Sequence, residues 1–178
     1  RTYALEENEV GVTKSYDRII RDFPLTDLGL RTPMLVADFY KHTNQKARQQ
    51  KALEDAKAHY IGLTAQYPDS PVELKALQML ANCYVEKGEF SRAVDALEEI
   101  LLKFSDPRLL TPQAMKNLVT SINAIVITQL KDYDRSIKIY SRFLEKYPDH
   151  PAAASFKSLI AKFEMLKKEN VSVILKKK

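Results

Sequence analysis

Cysteine, glycine and tryptophan are rare or missing in this chain of 178 residues. Its single cysteine, Cys83, excludes an intramolecular disulfide. With only 4 glycines and long stretches of Ala, Leu, Glu and Lys, the composition favours helices over strands. No stretch approaches the roughly 18 apolar residues of a membrane span. No secretory signal is visible, and since the first residue is Arg1 we expect a mature or trimmed fragment.

Sequence signatures of catalysis are missing as well. The chain has no CxxC, GxGxxG, Walker loop, GxSxG or HExxH motif. Its histidines, His42, His59 and His150, fall in different segments without a partner at metal-ligand spacing. We expect His59 to form a surface pair with Asp55, and His150 to be solvated. We expect Cys83 to be a buried, inert thiol, and we predict no enzyme activity, no metal and no cofactor.

The net charge of +5 is concentrated at the C-terminal end. Residues 162–178 contain six lysines and two glutamates, a balance of +4, which leaves +1 for the rest of the chain. A body so close to neutral lacks the basic face that nucleic acids require. We therefore expect no nucleic-acid partner. For the three terminal lysines a solvated tail is the favoured interpretation, and contact with anionic lipid or RNA is the alternative.

Four segments of the chain share one apolar pattern. In each, larger residues recur at offsets 4, 7, 8 and 11 from a mostly smaller first residue, and these offsets trace one face of an α-helix. The four sets are Val12, Tyr16, Ile19, Ile20 and Phe23; Ala56, Tyr60, Leu63, Thr64 and Tyr67; Ala93, Leu97, Ile100, Leu101 and Phe104; and Ser136, Tyr140, Phe143, Leu144 and Tyr147. Because four helices in one register are unusual, the pattern predicts an internal repeat.

A second pattern precedes three of these segments, with residues at offsets 0, 3, 4 and 7. The sets are Pro33, Val36, Ala37 and Tyr40; Leu77, Leu80, Ala81 and Tyr84; and Thr120, Asn123, Ala124 and Ile127. The third member is always an alanine, which lets two helices approach closely. Both helices of each pair then carry apolar stripes that only neighbours can cover, which is the arrangement of a solenoid.

These patterns resemble the tetratricopeptide repeat (TPR). Residues 74–107 look like a complete motif, with its Leu-Ala-x-x-Tyr element at residues 80–84. Residues 112–148 match in the same register, except that Ser136 replaces the usual alanine and Lys131 replaces the glycine of the turn.

The resemblance implies an all-α fold, a right-handed superhelix of antiparallel helix pairs with about eight helices. One solenoid is predicted over residues 1–169. Its repeats are residues 1–23, as the second helix of a partial repeat, 30–68, as a lengthened repeat, and 74–107 and 112–148. Residues 151–169 are predicted to form a capping helix with a polar outer face (Lys157, Ile160, Ala161, Glu164), and residues 170–178 a basic tail. About seven extra residues in 30–68 predict lengthened helices or a longer connection.

Two connectors between the predicted pairs share the pattern Tyr-Pro-Asp-x-Pro, at residues 67–71 and 147–151. Their prolines end one helix and open the next, and Asp69 or Ser70 in the first connector and Asp149 in the second can cap the helix that follows. The connectors resemble those of bacterial cell-envelope TPR proteins, namely outer-membrane-assembly lipoproteins and Tol–Pal-associated periplasmic proteins. This resemblance implies a periplasmic or envelope location, with the cytoplasm as the alternative and a lipid anchor outside this fragment as an option.

In TPR proteins the first helix of each pair lines a concave surface, so the resemblance also implies a ligand-facing set. The residues at these positions are Met34, Asp38, Lys41, Lys75, Gln78, Asn82, Glu86, Leu118, Ser121, Ile125 and Gln129. Their mixture of amide, charged and apolar groups suits an extended or helical peptide, and a merely solvated surface is the alternative. We therefore expect a non-catalytic scaffold that binds another protein or peptide.

A second hypothesis is a homotypic assembly element. Residues 12–23 would lack a covering helix, and an uncovered apolar face favours association with a second copy. On this hypothesis the protein would be a homo-oligomer.

Overall fold

The computed structural model of the chain describes the backbone of residues 2–175 and the side chains of residues 9–168. Within these residues it contains eight α-helices and no strand, which confirms the predicted all-α fold. The helices are α1 (Thr2–Asp22), α2 (Asp27–His42), α3 (Lys46–Gln66), α4 (Pro71–Glu86), α5 (Phe90–Lys103), α6 (Pro112–Ile125), α7 (Tyr133–Lys146) and α8 (Ala153–Leu175). A π-helical turn, Val126–Leu130, continues α6. None of the described helices is long and apolar enough to cross a membrane.

Hydroxyl side chains begin three of the helices. The Oγ atoms of Thr26, Ser70 and Thr111 accept hydrogen bonds from backbone N–H groups in the first turns of α2, α4 and α6. Each bond satisfies a donor that has no partner inside the helix. The two helices α4 and α6 also start on a proline, whose missing N–H costs nothing at that position.

The turn inside each helix pair contains one residue in the left-handed region. This residue is Asn44 (φ 57°) after α2, Gly88 (φ 72°) after α4, and Lys131 (φ 53°) after the π-helical turn. Glycine adopts this conformation without a Cβ clash, and asparagine tolerates it better than lysine does. All three turns therefore contain one left-handed residue, and Lys131 adopts this conformation at the greatest cost.

The described chain forms two compact units, Arg1–Ala96 and Leu97–Lys178, with the boundary inside α5. In the first unit, Ala56 and Tyr60 of α3 are almost fully buried, at the offsets that the sequence predicts. The Tyr60 hydroxyl donates a hydrogen bond to the carbonyl of Leu30 in α2 (2.8 Å), so the polar end of this core tyrosine is satisfied. The single solenoid over residues 1–169 stays a prediction.

The extra length of the 30–68 pair lies in its second helix. The helix α3 has 21 residues, against 14 in α5, and the connection from α2 is only three residues long. The first turns of α3 contact α1, since Gln45 at its N-terminus donates a hydrogen bond to Glu9 (3.0 Å) and Arg48 forms an ion pair with the same carboxylate. Of the two predicted explanations, a lengthened helix is therefore the one observed.

In the second unit, α7 packs against α8 through aromatic rings. The centroids of Phe143 and Phe156 are 4.2 Å apart, and those of Tyr140 and Phe156 are 5.2 Å apart. Phe156 and Phe163 are buried one helical face away from the polar positions predicted for this helix. The outer face is exposed at the predicted residues Lys157, Ala161 and Glu164, whereas Ile160 is half-buried.

The last helix extends beyond its predicted end at about residue 169. The helix α8 continues to Leu175, so residues 170–175 belong to it and not to a separate tail. The last three lysines of that predicted tail lie outside the described residues.

Candidate functional site

The first helices of the two pairs in the first unit, α2 and α4, lie side by side and are joined by ion pairs. Lys41 contacts Glu86 (2.7 Å), and Lys75 contacts Asp27 (2.9 Å). The hydrogen bond with Glu86 raises the pKa of Lys41, and that with Lys75 lowers the pKa of Asp27. Three of the residues predicted to face a ligand, Lys41, Lys75 and Glu86, are therefore already paired across the two helices.

The other predicted residues of this surface differ in exposure. Met34 is half-buried, packs against the core, and its Sδ lies 3.1 Å from the Sγ of Cys83. Asp38 and Gln78 are half-buried, and Asn82 is exposed. Of the predicted residues on α2 and α4, Asp38, Gln78 and Asn82 are the polar ones that take no part in the two ion pairs between these helices.

In the second unit the helix register differs from the prediction because of the π-helical turn at Val126–Leu130. Such a turn takes one residue more than an α-helical turn, so each side chain before it is displaced by one position. Ile122 and Val126 are fully buried in place of the predicted Asn123 and Ile127. The packing face predicted for α6 is therefore wrong by one residue.

The same displacement changes the ligand-facing set of α6. Leu118 is 7% exposed and belongs to the core, which corrects the expectation that it faces a ligand. Ile125 is half-buried, while Ser121 and Gln129 are exposed. Moving each predicted position back by one gives Asn117, Thr120, Ala124 and Thr128, and all four are exposed.

A groove of about 930 Å³ lies between α6 and α8, in the second unit. Its lining is mostly apolar and consists of Pro107, Leu110, Pro112, Met115, Lys116, Val119, Thr120, Asn123, His150, Pro151, Ala152, Ala154, Ser155, Phe156, Ser158 and Leu159. None of the sixteen was among the ligand-facing residues predicted from the sequence. Shifting the predicted positions of α6 back by one residue would have included Thr120, but no sequence pattern marks the π-helical turn that causes this shift.

Half of the side-chain polar atoms that line the groove are engaged within the protein. The Tyr140 hydroxyl donates to Oδ1 of Asn123 (2.6 Å), and the Thr120 hydroxyl donates to the carbonyl of Lys116 (2.8 Å). The ring of His150 accepts from the N–H of Ala152 through Nδ1 (3.1 Å), which places the ring proton on Nε2, 3.1 Å from the Ser105 carbonyl. His150 is therefore half-buried and hydrogen-bonded and not solvated as predicted, and its ring binds the N–H group of the residue just before α8.

A second cleft, of about 510 Å³, lies in the first unit between α1, α2 and α3. It is lined by Asp17, Ile20, Pro33, Val36, Tyr40, Arg48, Lys51, Ala52, Asp55, Ala56 and His59. The predicted pair of His59 with Asp55 is not formed. Asp55 contacts Lys51 (2.6 Å), and Nε2 of His59 is buried without a hydrogen-bond partner among the described residues. Burial lowers the pKa of His59.

Metal-ligating clusters and the single thiol are the remaining candidates for chemistry among the described residues. Among the described residues, no cluster of three or more His, Cys, Asp or Glu side chains could hold a metal ion. Cys83 is fully buried, and burial raises the pKa of its thiol to about 12. A thiol of this kind stays protonated at neutral pH and is a poor nucleophile.

Comparison with known protein families gives two matches. Residues 47–115 and residues 124–150 each match a model of the tetratricopeptide repeat, and the two segments, of 69 and 27 residues, cover more than half of the 178 residues. The second match begins only two residues before the π-helical turn and leaves out the part of α6 whose register is displaced. No curated protein and no solved structure matched the chain.

Proposed function

The chain is a tetratricopeptide-repeat protein, and we propose that it is a non-catalytic scaffold that binds a segment of a partner protein in the groove between α6 and α8. Repeats of this family generally mediate protein–protein interaction. The groove is the observation that carries the proposal, because a concave, mostly apolar cleft with a few polar groups is what binding sites share.

The two units differ in a way that favours this groove over the surface of α2 and α4. In the first unit the ligand-facing lysines are paired with Glu86 and Asp27, so a ligand would have to displace these contacts. In the second unit Val119 and Leu159 are half-buried groove residues, and a ligand would gain free energy by covering them. Binding at Met34, Asp38, Lys41, Lys75, Gln78, Asn82 and Glu86 stays a prediction.

Site-specific photo-cross-linking in the source cells tests the groove. A photoreactive residue at Thr120, which is exposed and lines the groove, should give a discrete cross-linked product. The same residue at Lys138, exposed on α7 and outside the groove, is the matched control. A third probe is placed at Asn82, on the surface predicted from the sequence. Equal products from Thr120 and Lys138, or a product from Asn82 alone, would reject the groove as the binding site.

Self-assembly is a second candidate function, and exposed apolar residues near α1 favour it. Phe23 and Leu28 are 56% and 52% exposed, and the predicted core residues Tyr16 and Ile19 of α1 are only half-buried. A surface of this kind can bury against a second copy. Light scattering over a concentration series decides the point, because a monomer at every concentration removes this candidate.

A place in a bacterial envelope complex is a finer part of the proposal. It rests on the resemblance of the two Tyr-Pro-Asp-x-Pro connectors to those of envelope TPR proteins. In the first connector Ser70 caps α4 and Pro71 opens it, so the shared pattern has a clear structural role. Fractionation of the source cells tests the location, and recovery of the protein only in the cytoplasm would refute it.

A further inference from the structure

We propose that the occupant of the groove between α6 and α8 is an amphipathic α-helix of a partner protein, with carboxylates along the edge that faces Lys116. This inference rests on the proposed function and names the chemistry of the ligand. Two properties of the groove carry it: its hydrogen-bonding capacity and its charge.

The groove has few polar groups left for a ligand backbone. The Oδ1 atom of Asn123, the hydroxyl of Thr120 and both ring nitrogens of His150 are engaged within the protein. Apart from Lys116, the amide nitrogen of Asn123 and two serine hydroxyls of α8 remain. The long walls of the groove are the helices α6 and α8, whose backbone groups beyond the first turns bond internally, so there is no strand edge to extend.

An extended segment would therefore lose hydrogen bonds on entering the groove. Each of its residues brings one N–H and one C=O, and a buried group without a partner costs about 1–3 kcal/mol. A helix satisfies these groups itself and presents only side chains. Met115, Val119 and Leu159 can then contact apolar residues at helical spacing on its inner face.

The charge of the groove selects an acidic ligand. None of the described residues that line it is Asp or Glu, while Lys116 is exposed and has no ion pair within the described part of the chain. Pro112 and Ala154, in the first turns of α6 and α8, also line the groove, and the N-terminal ends of helices carry partial positive charge. Carboxylates on the ligand complement both sources, and lysines on it would be repelled.

Two display libraries of equal size test the inference on the full chain. One encodes an α-helical peptide with its apolar face fixed and its polar positions randomised; the other encodes unstructured linear peptides. Selection should enrich acidic members of the helical library, and Val119→Glu in the protein should abolish their binding. Helical binders that are not acidic refute the charge assignment.

A charge exchange then tests the role of Lys116. We expect Lys116→Glu to weaken a selected acidic helix about tenfold and to favour a version of that peptide with lysines in place of its glutamates. The matched variant Lys138→Glu changes the net charge equally but lies outside the groove, and binding should be unchanged. Equal weakening by both variants would show that the effect is only net charge.

Failure of the helix inference differs from failure of the proposed function. Enrichment of linear peptides that Val119→Glu releases keeps the groove as the binding site and overturns the helical ligand. Enrichment of neither library, or of binders that Val119→Glu does not release, overturns both.

Discussion

Two residues near the start of α7, Lys131 and Ser136, depart from the usual TPR residues, and both lower the stability of the folded protein. Lys131 adopts the left-handed conformation that glycine adopts at the same turn of the preceding pair. Ser136 is fully buried, and within the described part of the chain its Oγ has no hydrogen-bond partner. The sequence marks both positions as departures, but only the structure shows what each one costs.

Replacing Lys131 with glycine should stabilise the protein. The left-handed conformation costs a residue with a Cβ about 1–2 kcal/mol, and part of that gain is lost to the greater freedom of glycine in the unfolded chain. We expect Lys131→Gly to raise the free energy of unfolding by about 0.5–1 kcal/mol, measured by urea denaturation. The reverse change at the equivalent turn, Gly88→Ala, should destabilise, although a Cβ there would meet no neighbouring atom. Stabilisation by both changes would contradict the strain argument.

Replacing Ser136 with alanine should also stabilise the protein. A buried hydroxyl without a partner costs about 1 kcal/mol or more, and alanine removes it without leaving a large cavity. We expect a higher urea midpoint for Ser136→Ala. The exposed Ser158→Ala, which removes a solvated hydroxyl, serves as the control and should change stability little. A lower midpoint for Ser136→Ala would show that the hydroxyl has a partner after all.

Stability should fall in mild acid because of His59. Burial lowers the pKa of His59 below its ordinary 6.5, so the folded protein binds a proton less readily than the unfolded chain. The contribution is therefore fully present above about pH 6.5 and is lost as the pH falls below it. We expect the loss of stability between pH 7.5 and pH 5.5 to be smaller in His59→Gln than in the natural protein. His42→Gln, at an exposed position, should leave that loss unchanged, and a similar effect of both variants would refute the assignment.

At the scale of helices, the sequence predicts the buried face correctly in α3, α5 and α7, and it fails in α1, where Phe23 is exposed and Tyr16 and Ile19 are only half-buried. The buried residues of α3, α5 and α7 follow the predicted offsets, from Tyr60 through Ile100 to Phe143. The predicted packing face of α6 is wrong by one residue, because the π-helical turn between α6 and α7 adds a residue that no composition or spacing reveals. The displacement explains only part of the missed groove: it would have added Thr120, whereas the other wall is α8, which the sequence predicts as a capping helix.

A one-residue deletion should be tolerated inside the π-helical turn and not elsewhere in α6. Deleting Thr128 converts that turn to an α-helical one and leaves Leu118 and Ile122 in the core, so we expect the melting temperature to change by only a few degrees. Deleting Ser121 rotates part of the helix by about 100° and takes apolar side chains out of the core, at a cost of several kcal/mol. Circular dichroism on heating measures both. Equal losses would mean that the turn is not an inserted residue.

At the scale of the whole molecule, the two compact units carry different candidate surfaces. The first-helix surface of the first unit is linked by the ion pairs Lys41–Glu86 and Lys75–Asp27, while that of the second unit opens into an apolar groove. Sequence alone could not distinguish them, because the mixed residue types at both surfaces look alike until partners and burial are known.

Hydrogen exchange should localise ligand binding to one unit. When an acidic helical peptide from the display selection is bound, we expect slower exchange at residues 112–123 and 150–159, which include the walls of the groove. Residues 27–86 should exchange at unchanged rates, because they belong to the other unit. Protection of α2 and α4 instead would move the binding site to the surface predicted from the sequence.

The π-helical turn also bears on how the gene can vary. The helical register of α6 is offset by one residue from that of α7, and the extra residue lies within Val126–Leu130. Loss of one codon within this turn removes the register offset, and every side chain N-terminal to the turn keeps its position. Repeat length can therefore change in descent without passing through an unfolded intermediate, and among descendants of this gene codon gains and losses in α6 should gather at this turn.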